Sequence, residues 1–209
     1  MTGDVTLAEV LAQLGPVTGV LDEAIASAIA IAEERCRGLG SRFNSARSMM
    51  VRAWTRVELE SAPLAEGWTL AGDTNRMGQL IIRKPGVMDL RFLKGNPLQP
   101  GRVPHAGLGA ARRAAWRQDP LPELWPTAAQ RHTFLLLWDY LDAEARTEGF
   151  TLRVAHPISP GRFGHRVPCD LDIEIPRGGT MFEDLRFEAH DDEEDFFAVH
   201  IDSDEDLGQ

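Results

Sequence analysis

Apolar residues recur along this chain with two different periods, and the change of period divides it. Up to about residue 61 they fall every three or four positions, the spacing that lines one face of a helix. Thr6-Leu7-Ala8-Glu9 reads as a capping box: the hydroxyl accepts from a free backbone N–H and the carboxylate reaches back. A first helix therefore starts at Thr6, and Gly15-Pro16 is expected to stop it. A second is predicted from about Thr18 to Arg37, with Leu21, Ile25, Ile29, Ala32 and Cys36 as its apolar stripe and Gly38 and Gly40 at its end. A third runs from Ser41 to about Ser61, with Phe43, Ala46, Met50, Ala53 and Val57 predicted on the buried face. The second and third helices, joined by Gly38-Leu39-Gly40, form an αα-hairpin.

The pattern then turns strand-like. Trp68 to Gly72, Gln79 to Lys84 and Val87 to Lys94 are short apolar segments separated by turn residues, which predicts a three-stranded antiparallel meander. A loop from Asn96 to Pro104 leads into a short basic helix at about Gly107 to Gln118. Thr127 to Glu148 is expected to be a long helix, with Phe134, Leu135, Trp138, Leu141 and Ala145 facing inward. Phe150 to Ala155 and Asp170 to Ile175 predict a β-hairpin around the loop Pro157 to Pro168, and Leu185 to Ala189 and Phe197 to Ile201 have strand character. The fold class expected is α+β: N-terminal helical hairpin, meander, long helix, C-terminal β-hairpin and acidic tail. Residues 1–181 are read as one domain, with a subdivision near 149 as the alternative, and residues 182–209 as a tail that is partly disordered or docked.

Composition narrows the class. At 209 residues, 43% hydrophobic and 26% charged, the chain can bury its own core without disulfides or metals. No apolar run approaches the ~18 residues that span a bilayer. The first residues lack the basic and apolar regions of a secretory signal, so a cytoplasmic location and no membrane partner are expected. Cys36 and Cys169 have no CxxC spacing and are read as two free thiols. Lys84 and Lys94 are the only lysines against twenty arginines, a bias that fits a GC-rich bacterial genome.

Charge is distributed unevenly. Residues 182–209 hold twelve acidic side chains against Arg186, a net of −11 in a chain whose total is −10. Residues 75–131 hold ten bases against Asp89, Asp119 and Glu123, a net of +7. Within that middle, Gly107-Leu108-Gly109 precedes a helix bearing Arg112, Arg113 and Arg117, with Arg102 and His105 upstream and Trp116 as an aromatic face. Arg83, Lys84, Arg91 and Lys94 extend the patch. Free N–H groups at a helix start attract anions, and glycine lets a phosphate approach the backbone, so these residues are the first candidate binding site. In the tail, Phe196, Phe197 and Ile201 punctuate acid with apolar anchors, which suits docking into a basic groove of this chain or of a partner.

Catalytic patterns are sparse. The G-x-S-x-G, H-E-x-x-H and P-loop spacings do not occur. Asp202-Ser203-Asp204-Glu205-Asp206 begins like a calcium loop, but Leu207 stands where glycine is needed. His165, Cys169 and Asp170 lack a fourth ligand. The order helix, three-stranded meander, helix, strand is similar to that of the PD-(D/E)xK nuclease core. That resemblance implies a metal held by Asp73 and Asp89, completed by Glu58, with Arg91 in the place of the lysine that positions water. Gly72 rather than proline precedes Asp73, and arginine does not release its proton, so the pattern is broken. The leading expectation is therefore a non-enzymatic regulatory protein, antitoxin-like or an accessory subunit, binding a macromolecule by charge without metal or other cofactor. A protein partner comes first, and nucleic acid is the second candidate, through the basic middle. The alternative is a nucleic-acid-processing enzyme of degenerate nuclease type.

Overall fold

The computed structural model describes residues 3–95, 102–121, 132–142, 146 and 149–179, with side chains from residue 7 onward. It is an α+β fold: two long helices, α1 (Gly3–Arg35) and α2 (Asn44–Ser61), and a six-stranded mixed sheet. The strands are β1 (Thr69–Ala71), β2 (Ile81–Lys84), β3 (Met88–Lys94), β4 (His132–Tyr140), β5 (Phe150–Pro157) and β6 (Cys169–Ile175). They lie side by side in chain order. Every neighbouring pair is antiparallel except β3 and β4, which run parallel, Met88 beside His132 and Lys94 beside Trp138. A parallel pair needs a crossover. The chain between β3 and β4 makes it, and carries the short helix α3 (Ala110–Ala115).

The meander and the C-terminal hairpin form as the alternating pattern predicts, and the sheet passes without interruption across Gly149. Three expectations are corrected. The first is the stop at Gly15-Pro16: α1 runs straight through Pro16. An interior proline costs about 3 kcal/mol. Val10, Leu14, Val17, Leu21, Ile25, Ala28 and Ala32 are all fully buried along one stripe of this helix, and each large aliphatic buried is worth about 1.5–3 kcal/mol. Keeping the stripe continuous outweighs the proline. Thr18 Oγ1 donates to the Gly15 carbonyl at 3.0 Å within the same turn. By length and composition, Leu7–Arg35 is consequently long and apolar enough to cross a membrane, with half of its apolar window buried within the fold.

The second correction is the face of α2. Arg47, Val51, Thr55 and Leu59 are buried, one position round from the predicted stripe, while Phe43, Ala46, Ala53 and Val57 are exposed and Met50 is half-buried. Two polar residues on the buried face carry their own partners. The Arg47 guanidinium donates to the Cys36 and Leu39 carbonyls and to Asn44, and lies 3.1 Å from Glu33, so it closes the end of α1. Thr55 Oγ1 donates to the Val51 carbonyl. A hydrophobicity pattern counts neither as a core residue.

The third correction concerns residues 127–148, of which 132–140 form β4 rather than a helix. This strand lies between β3 and β5 and is buried on both faces from Phe134 to Trp138, while Leu141 is exposed. A strand covered on both faces reads as an unbroken apolar run, which periodicity alone does not separate from a buried helix. Ala145 and the expected elements at 185–189 and 197–201 lie outside the described residues. Both cysteines are free thiols, Cys36 buried at the end of the α1 stripe.

The alternation along β3 and β4 divides the core in two. Met88, Leu90, Phe92, Phe134, Leu136 and Trp138 point to one face and pack with α1 and α2. Leu93, Leu135 and Leu137 point to the other, where Val103, Ala106, Trp116 and Val167 cover them. The second cover is made of crossover and loop rather than long helix. The candidate site lies on that side.

Candidate functional site

The cover begins with Trp116, fully buried against the sheet, and so not the exposed aromatic face that the sequence suggests. Gln118 ties the same segment down: its side-chain amide donates to the Thr133 and Pro157 carbonyls, and its oxygen accepts from the Thr133 N–H at 2.6 Å. The Leu121 N–H donates to Asp170 at 2.7 Å. With one side of α3 fixed in this way, Arg113 on the helix and Arg117 in the turn just past its end are both exposed.

Opposite them stands the β5–β6 loop. The Ala106 N–H donates to the Pro160 carbonyl at 2.9 Å, which joins the two walls, and the Ile158 N–H to the Pro168 carbonyl closes the loop's base. Gly161 has φ +66°, and a Cβ there would come within 2.7 Å of Val167 Cγ2, so glycine is required. The His165 N–H donates to the Arg162 carbonyl, and Gly164 has φ +78°. Arg162-Phe163-Gly164-His165 is thus a turn of type II character, with glycine at the position that demands positive φ.

Between the walls lies a cleft of about 460 Å³ lined by Arg113, Arg117, Arg162, His165 and Arg166 together with Ser159, Pro160, Gly161 and Pro168. Among the described residues, no carboxylate lines it. A smaller neighbouring cleft of about 230 Å³ shares Arg166 and adds Arg102, Arg153 and Asp172. There Arg153 and Asp172 pair at 2.5 Å. Arg102 therefore joins the basic surface through Arg166.

Arg112 faces elsewhere. Burial first, and then the positive charge of Arg112, hold Arg52 and Arg91 below the ordinary arginine value, so these three cations from α2, β3 and α3 lie within electrostatic reach of one another. All stay charged at neutral pH. Arg52 donates to the Met77 carbonyl at 2.8 Å, and the buried Nε of Arg91 has no hydrogen-bond acceptor among the described residues. The other bases of the meander are engaged within the fold: Arg83 holds both oxygens of Asp89, Lys84 donates to Gln13, and Lys94 meets Asp139 at 2.5 Å.

The Gly107-Leu108-Gly109 feature is not a phosphate cradle. The helix that follows has six residues, too few for a substantial dipole. The Gly107 N–H already donates to His105 Nδ1 at 3.0 Å, and Gly109 supplies no side-chain cap. The His105 ring instead lies edge-on to Phe163, with centroids 5.7 Å apart. Phe196, Phe197 and Ile201 lie outside the described residues.

The nuclease-like set is not assembled. Asp89 is buried and bidentate with Arg83 at 2.8 and 3.0 Å, and Asp73 accepts from the Asn75 N–H and pairs with Arg76 across a turn. Glu58 sits half-buried on α2. Among the described residues no three His, Cys, Asp or Glu side chains are placed to hold a metal ion.

Two features escaped the sequence reading. Arg162 and Arg166 stand in what reads as a plain loop, His165 reads there only as a candidate metal ligand, and only the hairpin register, with Ala155 opposite Asp172, returns that loop to α3. The other is a chain that runs from Asp170, at the surface, to the buried His156 and His132, linked at 2.6 Å and 3.2 Å. Burial opposes ionisation of Asp170, but its bonds to His156 and the Leu121 N–H outweigh that and hold it below the usual carboxylate value. Burial, then His156, pushes His132 down. The nearby Cys169 thiol is raised to about 12 by burial, Asp172 and Asp170, which makes it a poor nucleophile. A wider cleft of about 670 Å³ at the end of α1 has mixed charge, with Glu33 shared by Arg47 and Tyr140 and with Arg146 donating to Asn44. Its charged groups are largely satisfied within the fold. The cleft beside α3 is not balanced in this way.

Comparison of the chain with protein-family models, with curated proteins and with solved structures finds no match.

Proposed function

We propose that this chain is a non-enzymatic regulatory or accessory protein that binds a polyanionic macromolecule by charge in the cleft between α3 and the β5–β6 loop. One observation carries the reading: five basic side chains from two separate segments converge on one cleft that, among the described residues, no carboxylate lines. Cations brought together without counter-charge repel one another, and a line of phosphates relieves that repulsion while releasing counterions. The acidic segment 182–209, with a net of −11, is the natural competitor for such a cleft, and Phe196, Phe197 and Ile201 are its candidate anchors. Docked there, it lies within the ~8 Å over which charges interact at physiological salt.

The test compares the full chain with residues 1–181 for binding to a labelled oligonucleotide at low salt. The truncated chain is expected to bind more tightly, with affinity that falls steeply as salt rises. Equal affinity of the two forms would remove the regulatory role of the acidic segment. Absence of salt-dependent binding by both would remove the reading itself.

A further inference from the structure

Phe163 is an exposed aromatic residue at the rim of a cleft lined by arginines. It is 73% exposed, in a protein whose Phe92, Phe134 and Phe150 are buried. Its place is set by the turn: Arg162 and His165 line the cleft, and Phe163 sits between them at the position that a type II turn projects outward. The His105 ring meets it edge-on and steadies it from the opposite wall. Removing a phenyl ring from water is favourable, and most turns carry polar residues at their tips. An exposed ring held in place is a surface awaiting a flat apolar partner. A nucleobase is flat and is joined to a phosphate, and Arg113, Arg117, Arg162 and Arg166 line the cleft beside the turn that carries Phe163. Base stacking beside a charged groove is how single strands are held without regard to sequence. Duplex DNA offers phosphates but keeps its bases stacked on one another.

We infer that the cleft takes single-stranded nucleic acid, with phosphates along Arg113, Arg117, Arg162 and Arg166 and one base stacked on Phe163. The inference rests on the polyanion-binding reading and specifies its ligand.

The test uses the full chain and three probes: a labelled single strand of about 16 nucleotides, the same sequence as a duplex, and heparin. Binding is read by anisotropy, with heparin as competitor. The single strand is expected to bind roughly tenfold tighter than the duplex. Phe163→Ala should weaken it roughly tenfold, in keeping with the loss of one stacked base, while leaving duplex and heparin binding within about twofold. Phe163→Trp should restore affinity and add an indole signal quenched by the oligonucleotide. Arg113→Glu with Arg117→Glu should weaken all three probes. Equal affinity for single strand and duplex, or a neutral Phe163→Ala when the arginine reversals abolish binding, overturns the single-strand inference and leaves the polyanion reading standing. A synthetic peptide of residues 182–209 that binds in trans more tightly than the oligonucleotide, indifferent to Phe163→Ala, also overturns it in favour of an acidic protein ligand. Failure of every probe to bind the full chain in a salt-dependent way overturns the single-strand inference, and the same failure with residues 1–181 overturns both.

Discussion

The two faces of the sheet are covered by different means. On one, α1 lays a continuous stripe from Val10 to Ala32 across Leu90, Phe92, Phe134 and Trp138, and α2 packs beside it. On the other, Val103, Ala106, Trp116 and Val167 cover Leu135, Leu137 and Ala155, and the segments that carry them are irregular apart from six residues of α3. A long helix buries its apolar side and turns its polar side to water, which leaves a closed surface. Two irregular segments pinned by a few anchors leave a gap between them, and their remaining residues are free to be chosen for something other than packing. Here those residues are arginines and one phenylalanine. The helical face builds stability, and the loop face carries the candidate chemistry.

The sharpest way to break this contrast is to hollow out each face in turn. Phe92→Ala and Trp116→Ala each remove a buried aromatic side chain, and each is expected to cost about 3–5 kcal/mol in denaturant unfolding. Measured under conditions where both variants remain folded, only Trp116→Ala should also weaken oligonucleotide binding, because Trp116 anchors Arg113 and Arg117. Equal effects of both on binding would show that the faces are not separable.

A smaller effect is expected at Asp89, which is buried on the loop side of β3 and held by both arms of Arg83. Asp89→Asn should cost about 1.5–3 kcal/mol, the worth of a hydrogen bond to a charged group. Because Arg83 occupies its oxygens, no magnesium- or manganese-dependent cleavage of DNA or RNA is expected from the purified protein. Cleavage abolished by Asp89→Asn would assign this face to catalysis instead.

Acid should act first at His132, which lies on the same face of β4 as Phe134 and Leu136, with His156 against Phe134. His132 is held below its ordinary value by burial and by His156, so the unfolded chain binds its proton more readily than the folded one. Stability contributed by keeping His132 neutral is complete above the unfolded value of about 6.5 and falls as pH drops below it. Asp170 has a lowered value, so its contribution is present above about 3.9 and is lost below that. Urea midpoints against pH should therefore decline in two stages, and His132→Phe should flatten the first. A first stage unchanged in that variant would place the acid sensitivity elsewhere.

How much of this was legible in the sequence follows from what each face asks of it. The meander was readable because Asp73-Thr74-Asn75 and Pro85-Gly86 mark its turns and its strands alternate. The stripe of Leu21, Ile25, Ile29 and Ala32 was readable for the same kind of reason. Pro16 misled because the local cost of a proline is visible in sequence while the tertiary burial that exceeds it is not. Phe134 to Trp138 misled because a strand packed on both faces has no period. Of the cleft, Arg113 and Arg117 were legible as charge, and Arg102 as their neighbour. Arg162, His165, Arg166 and Phe163 were not, since their meeting with α3 depends on strand order and on Trp116 and Gln118 being tied down.

Exposed charges should affect stability least and binding most, and the measurement that tests the central claim follows from that. Arg113→Glu with Arg117→Glu should move unfolding by no more than about 0.5 kcal/mol. Oligonucleotide affinity of the full chain and of this variant is then measured from ~50 to ~200 mM salt. Each phosphate of a single strand that the protein no longer neutralises lowers the slope of log affinity against log salt by about 0.7, so the double variant should have a slope smaller by about 1.4 and little of the low-salt affinity. Equal slopes and affinities for the two proteins would contradict the assignment of the cleft beside α3 as the binding site.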